Sequence, residues 1–164
     1  MLKRKKSRSL ILKSNADFEL QSVVVERPMA DQVEVSIQRV GICASDIERS
    51  CDYGAYHYPL VIGHEMSGII SSTPIETEFE IGDRVAIFPL LPCFSCQSCN
   101  LKKFAQCEAY SYYGSRENGG LTTYLNVNTW NLLKLPNNVS FDDAALLEPT
   151  AVVFHAIQRL ALKK

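Results

Sequence analysis

Apolar and polar residues alternate at period two from Val33 to Val40 (V-E-V-S-I-Q-R-V), the pattern of a strand with one buried face. Short runs rich in Val, Ile, Phe and Tyr recur at Leu20 to Val25, Met66 to Ile70, Arg84 to Phe88 and Leu121 to Val127. Turn-formers such as Gly82-Asp83 and Gly119-Gly120 divide them. The runs predict a mainly β fold with a barrel or sandwich core. After Pro136 the pattern changes. Ser140 precedes Asp142, Asp143 and a run of Ala and Leu, an N-cap followed by acids that complement the helix dipole, so a short helix is expected over residues 141–147. Pro149 suits the first turn of a second helix, over about residues 150–163, and Glu148 is expected at the break between the two. Val152, Val153, Phe154, Ile157, Leu160 and Leu162 spread around most of that helix, which calls for burial on several sides by a partner outside these residues.

Composition narrows the class. The 164 residues, 46% of them hydrophobic, suffice for one domain, residues 1–164, with a core of its own. Lys and Arg total 17 against 18 Asp and Glu, for a formal charge of -1, so the basic excess of a nucleic-acid binder is missing. The one charge run, Met1 to Arg8, is followed by only Leu10, Ile11 and Leu12, too short for a signal h-region, and reads as a solvated basic tail. No stretch has the roughly 18 to 20 apolar residues of a membrane span, so a soluble, cytoplasmic protein is expected. In that reducing compartment six cysteines point to metal or redox chemistry in preference to disulfides.

Their spacing divides them. Cys93, Cys96, Cys99 and Cys107 form C-x2-C-x2-C-x7-C within a long loop, Pro89 to Tyr113, that needs an organising element. Four thiolates can close a tetrahedral zinc shell, leaving no position for water, so this site is expected to be structural. Bacterial ferredoxins offer a rival pattern, C-x2-C-x2-C-x3-C followed by Pro, but here the last gap is seven and Glu108 follows. Lys102 and Lys103 are the lobe's only basic residues, too few for a nucleic-acid finger. Outside the lobe stand Cys43 in GICASD, His64 and Glu65 in GHE, and Glu148 in LLEP. Each is weak alone, but together they supply the mixed N, O and S donors from which a catalytic zinc takes three ligands while keeping one position open.

The ordered series Gly41, Cys43, Ser45, Asp46 (G-x-C-x-S-D), then Gly63-His64-Glu65, then GDRV at Gly82 to Val85, then the four-cysteine lobe, resembles the GroES-like catalytic domain of zinc-dependent medium-chain dehydrogenases. The resemblance runs from about Val33 to the C-terminus. Glu148 in LLEP resembles the sorbitol dehydrogenase branch, and PLLPCFSC, YHYP and YGSRENGG resemble its galactitol-phosphate subgroup. The resemblance implies a partly open β-barrel with a cysteine-rich zinc lobe and C-terminal helices. It implies two zincs per chain: a structural one on Cys93, Cys96, Cys99 and Cys107, and a catalytic one on Cys43, His64 and Glu148, with Glu65 as fourth or exchanging ligand. Asp46 would orient a ligand histidine. Ser45 would relay the substrate proton, or act as a helix N-cap.

The implied reaction is oxidation of a secondary alcohol of a polyol or polyol phosphate, with hydride passing to NAD or NADP. A homo-oligomer is expected at full length, with no nucleic-acid or membrane partner. A G-x-G-x-x-G fingerprint is absent from these residues, so the cofactor would be held by a Rossmann domain outside them. A zinc-stabilised interaction module without catalysis is the second reading. Some positions depart from the family pattern: Glu48 stands where many relatives have a relay histidine, and Ala44 where they have glycine. Cys51 fits no ligand spacing, His57 is expected on a loop or at the cleft, and Arg116 is a candidate partner for a substrate phosphate.

Overall fold

In the computed structural model the described residues are 5–73 and 76–160. The chain opens with a hairpin, β1 (Lys6–Ser14) and β2 (Asp17–Val24), and continues through β3 (Gln32–Gly41) and a helical turn, α1 (Ala44–Ile47), to β4 (Glu65–Ser72) and β5 (Arg84–Ile87). Next come β6 (Leu90–Leu91), α2 (Gln97–Asn100), β7 (Ser111–Tyr112), β8 (Tyr124–Asn128), β9 (Leu132–Lys134), α3 (Phe141–Ala145) and α4 (Leu147–Arg159). Five strands make an antiparallel sheet in the order β8-β3-β4-β5-β9. The alternation read from Val33 becomes β3, whose Val33 and Val35 face Val127 and Leu125 of β8 and are fully buried. Met66, Ile70, Val85, Ile87 and Leu132 complete this core. Each such side chain contributes about 1.5 to 3 kcal/mol by leaving water.

The sheet does not close into a complete barrel. The β1–β2 hairpin is a separate two-stranded sheet that joins the body through bridges from Ser9 to Thr122 and from Leu12 to Leu60. This corrects the expectation of a solvated tail: from Lys6 onward the basic leader is a strand, while Met1 to Arg4 lie outside the described residues. Its buried face is carried by Ser7, Ser9 and Leu12, all under 3% exposed. Ser7 and Ser9 both bond the Thr122 hydroxyl at 2.7 Å, so their burial is compensated. Inward serines read as surface in any hydropathy pattern, which hid the strand. Lys5 reaches across to the buried Glu34 at 2.7 Å, and Ser71 supplies a second bond to that carboxylate.

Ser140 caps α3 as expected, its hydroxyl accepting the Asp143 N–H at 3.0 Å. Ala144 and Ala145 bury against β3, β4 and β5. The interhelical break falls at Leu146, not Glu148, which lies in the first turn of α4. A helix's first amides have no intrahelical acceptor, so Pro149 at the third helical position removes no bond and α4 can begin before it. None of α4's residues is buried, and Val152, Val153, Phe154, Ile157 and Leu160 are each more than half exposed. The expected last turn, with Leu162 and Lys163, lies outside the described residues.

Gly68 in β4 is a sensitive point of the sheet. A Cβ there would meet Ser36 O at 2.5 Å and Val35 Cγ1 at 2.6 Å. Gly68→Ala is expected to destabilise the chain by about 1 to 3 kcal/mol through overpacking, seen as a lower urea midpoint at an unchanged m-value. An unshifted midpoint would show that β3 moves aside freely.

Candidate metal centres

The cysteine lobe leaves the body between β6 and β7, whose short ladder closes the loop predicted over Pro89 to Tyr113. Cys96 is the N-cap of α2 and Cys99 lies within it, so a single helical turn sets two sulfurs. Phe94 and Lys102 adopt positive φ of 57° and 58°, left-handed kinks that wrap the chain around the sulfurs. Backbone amides of Cys93 and Cys96 point at the Cys107 and Cys93 sulfurs at 3.3 and 3.4 Å. Cys93 and Cys99 sulfurs are 4.0 Å apart, and those of Cys96 and Cys107 are 3.9 Å apart. A tetrahedron with Zn–S bonds of about 2.3 Å has edges of about 3.8 Å, whereas a disulfide needs about 2.05 Å. The four thiols are free, and their spacing suits a tetrahedral soft cation.

The Ser95 hydroxyl and the amides of Ser95 and Cys96 bring the Cys93 thiol down to about 6, while burial pushes Cys99 up to about 12. The two thiols are thus pushed in opposite directions within one lobe. It is seated by aromatic edges: Phe94 and Phe104 contact Trp130 at 5.2 and 5.3 Å between ring centres.

A second group joins the end of β3 to the start of β4. Cross-strand pairing sets Gly41 opposite Glu65. A Cβ on Gly41 would fall 2.0 Å from Glu65 Oε2, so the glycine makes room for this carboxylate. Donor atoms of Cys43, His64 and Glu65 all lie within 4.8 Å of one another, with His64 and Glu65 about 6% exposed. Glu148 is not in that group. It lines the same cleft, of about 480 Å³, and Tyr112 donates its hydroxyl to Glu148 Oε1 at 3.0 Å.

Asp46 is completely buried beneath the group. Its Oδ2 accepts the Cys43 N–H at 3.1 Å, and its Oδ1 lies 3.2 Å from His64 Nδ1 and 3.5 Å from Arg49 Nη1. His64 Nδ1 thus faces the Asp46 carboxylate at ion-pair distance without forming a hydrogen bond to it. Burial opposes the charged imidazole, but Asp46 and Cys43 outweigh it and raise His64 to about 9. Burial likewise raises Glu65, with Glu148 adding to the effect and His64 opposing it.

Ser45 lines the cleft, but it is not the N-cap of α1, a position taken by Cys43. The chain must turn at Cys43 itself for Asp46 to reach back to its amide. His57 takes the loop alternative: it is exposed, with Nε2 3.1 Å from Arg116 O. Cys51 is exposed and belongs to neither sulfur group among the described residues. Tyr56, Tyr110 and Tyr112 line the cleft and were not singled out from sequence; only their clustering around YHYP and YSYYG could have signalled them.

Residues 29–137 match the family model described as the alcohol dehydrogenase GroES-like domain. Galactitol 1-phosphate 5-dehydrogenase of Escherichia coli (strain K12) is 39% identical over 137 residues, covering 83% of this chain and 40% of that protein. The crystal structure of the galactitol-1-phosphate dehydrogenase from Escherichia coli superposes with a TM-score of 0.85 at 36% identity, over 91% of this chain and 44% of that one. Sorbitol dehydrogenase of Bombyx mori is 32% identical over 155 residues, 91% of this chain and 44% of that protein. A structure described as a short chain alcohol dehydrogenase from E. coli CFT073 complexed with NADH matches at 28% identity and TM-score 0.85, over 91% of this chain and 44% of that one. The chain thus spans less than half the length of these relatives. The chain therefore belongs to the alcohol dehydrogenase GroES-like domain family.

Proposed function

We propose that this chain is the zinc-holding catalytic portion of a polyol dehydrogenase, acting on a secondary alcohol of a polyol or polyol phosphate with NAD or NADP as hydride acceptor. The observation that carries the reading is the convergence of Cys43, His64 and Glu65 donors within 4.8 Å beside a cleft that also holds Ser45 and Glu148. Cys43, His64 and a carboxylate would hold the catalytic zinc, Glu65 and Glu148 being the two that can serve. Cys93, Cys96, Cys99 and Cys107 would hold the structural one. When bound, the catalytic zinc supplies Lewis acidity that lowers the pKa of the alcohol.

The remaining roles belong to the chain's own groups. Asp46, 3.2 Å from His64 Nδ1, would orient the ring and strengthen it as a ligand. Tyr112 holds Glu148 at the cleft wall until its carboxylate is needed. Ser45, half-buried in the lining, is placed to take the alcohol proton and pass it towards solvent. Nicotinamide binding falls to the part of such enzymes that these residues do not represent, and the exposed apolar surface of α4 is suited to pack against it. Free cysteines throughout agree with a cytoplasmic setting.

Counting metal tests the reading. Two zincs per chain are expected, falling to one in Cys43→Ser while the lobe keeps its own, by atomic emission on dialysed protein. Unchanged metal content in that variant would remove the catalytic site from this proposal.

A further inference from the structure

Glu65 and Glu148 open on one cleft, but only Glu65 has a carboxylate oxygen within 4.8 Å of the Cys43 and His64 donors. Glu148 is engaged elsewhere. Tyr112 donates its hydroxyl to Glu148 Oε1 at 3.0 Å, and its ring packs against that of His64 at 66°, with 5.8 Å between centres. One side chain thus touches both the second carboxylate and a member of the metal group. No residue of α4 is buried, so the packing of that helix does little to aim Glu148, and the tyrosine bond sets the direction of its carboxylate.

Tyr112 is itself placed by two distant segments. In β7 it pairs with Leu90 of β6, in the ladder from which the cysteine lobe hangs. β6 ends two positions before Cys93, and Tyr112 follows Cys107 by five. Asn131, 1% exposed, donates its side-chain amide to the Leu90 carbonyl at 2.7 Å and ties the ladder to the segment before β9. On the other side, the Tyr112 carbonyl accepts the amides of Arg116 and Glu117 at 3.0 Å. Their turn packs Gly114 so closely on the His64 loop that a Cβ would fall 2.6 Å from Gly63 O. The base of the lobe and the metal group therefore meet at Tyr112.

We infer that Tyr112 is a positioning residue: while the cysteine lobe is ordered, it withholds Glu148 from the Cys43, His64 and Glu65 donors, so that Glu65 is the carboxylate ligand of the resting site and Glu148 a reserve. The inference rests on the dehydrogenase reading above and deepens it. A carboxylate held by a hydroxyl must break that bond before it can reach a cation. A hydrogen bond to a charged group is strong enough to decide between two otherwise similar oxygen donors. The lobe then does more than stabilise itself, because its order keeps β7 paired and Tyr112 aimed at Glu148.

Zinc competition with a chromophoric chelator on the full chain tests this, the Cys43-dependent site being identified by its loss in Cys43→Ser. Tyr112→Phe keeps the ring against His64 but frees Glu148, so zinc at that site is expected to bind about tenfold or more tighter than in the parent. In a Glu148→Gln background the same change should alter affinity by less than about twofold, since no charged oxygen is left to release. Cys99→Ser, which unravels the lobe, should tighten the site as Tyr112→Phe does, and the two together should do no more than either alone. Taken singly, Glu65→Gln should weaken the site far more than Glu148→Gln. Circular dichroism confirms that the variants keep the sheet. A tyrosine that served packing only would leave zinc affinity unchanged or lower on substitution, with or without Glu148, and either result overturns the inference. So do weaker zinc in Cys99→Ser, additive effects of Cys99→Ser and Tyr112→Phe, or a greater loss from Glu148→Gln than from Glu65→Gln. The two proposals fail separately. A Cys43-dependent zinc indifferent to Tyr112→Phe removes this inference and leaves the dehydrogenase reading, whereas the absence of any Cys43-dependent zinc removes both.

Discussion

In Cys99→Ser the lobe from Cys93 to Cys107 is expected to lose both its zinc and its ordered backbone, while the five-stranded sheet stays folded. Cys99 is 5% exposed and its sulfur is 4.0 Å from that of Cys93, so it would close the proposed zinc shell from within. A serine hydroxyl is a far weaker zinc ligand than a thiolate. For structural zinc in small domains, metal binding supplies on the order of 10 kcal/mol of folding free energy. Little else orders this segment. Its helical pieces are single turns, Gln97–Asn100 and Phe104–Gln106, too short to persist unaided. Its anchor to the body is the set of ring contacts that Phe94 and Phe104 make with Trp130. Hydrogen exchange should therefore accelerate across residues 93–107, and the Trp130 fluorescence should shift as Phe94 and Phe104 leave it. The sheet core of Val33, Met66 and Val85 does not include the lobe and should keep its protection. Retained zinc and unchanged exchange in the variant would show that three sulfurs suffice and that the lobe is ordered by packing.

Asp46→Asn should weaken zinc at the Cys43 group by about 10- to 100-fold while leaving the lobe's metal in place. The substitution keeps the shape of a completely buried side chain but removes the charge that faces His64, Arg49 and the Cys43 amide together. It should also move the histidine. His64 stands at about 9 in the metal-free chain because Asp46 and Cys43 overcome the burial that opposes its charge. Without the Asp46 carboxylate, burial regains weight and the His64 pKa should fall.

The sign of the pH effect follows. A folded pKa above the unfolded value of about 6.5 means that the Asp46 contact stabilises the metal-free chain fully below pH about 6.5 and is lost as pH rises through about 9. Zinc must displace that proton, so its affinity should climb with pH across the same window in the parent chain and less steeply in the variant. Chelator competition at several pH values and an NMR titration of the His64 ring check both effects. Equal zinc affinity in parent and variant would reduce Asp46 to a cap for α1, bonding the Cys43 amide and nothing more.

The alternation from Val33 and the apolar runs at Met66 and Arg84 marked β3, β4 and β5, since a strand's period is written in consecutive residues. The lobe was equally legible, because Cys107 follows Cys93 by only fourteen positions and its four sulfurs are brought together by one short stretch of chain. Harder to read was β1, whose inward serines are satisfied by Thr122, 113 and 115 positions away. The break before α4 shifted by two residues because a proline in a first turn permits a helix to start ahead of it.

Sequence by itself thus determined the family, the β character and the two sets of candidate donors, all properties of residue type and short-range spacing. Only the tertiary structure decided which donors meet. Glu65 joins Cys43 and His64 because antiparallel register sets Gly41 opposite it, and a missing Cβ leaves its carboxylate room. Glu148 shares the cleft, bonded to Tyr112, and Arg116 reaches it on a turn locked to Gly63. Such meetings depend on sheet register and on close backbone approach between distant segments, and those are fixed by packing of the whole chain, not by any local stretch of it.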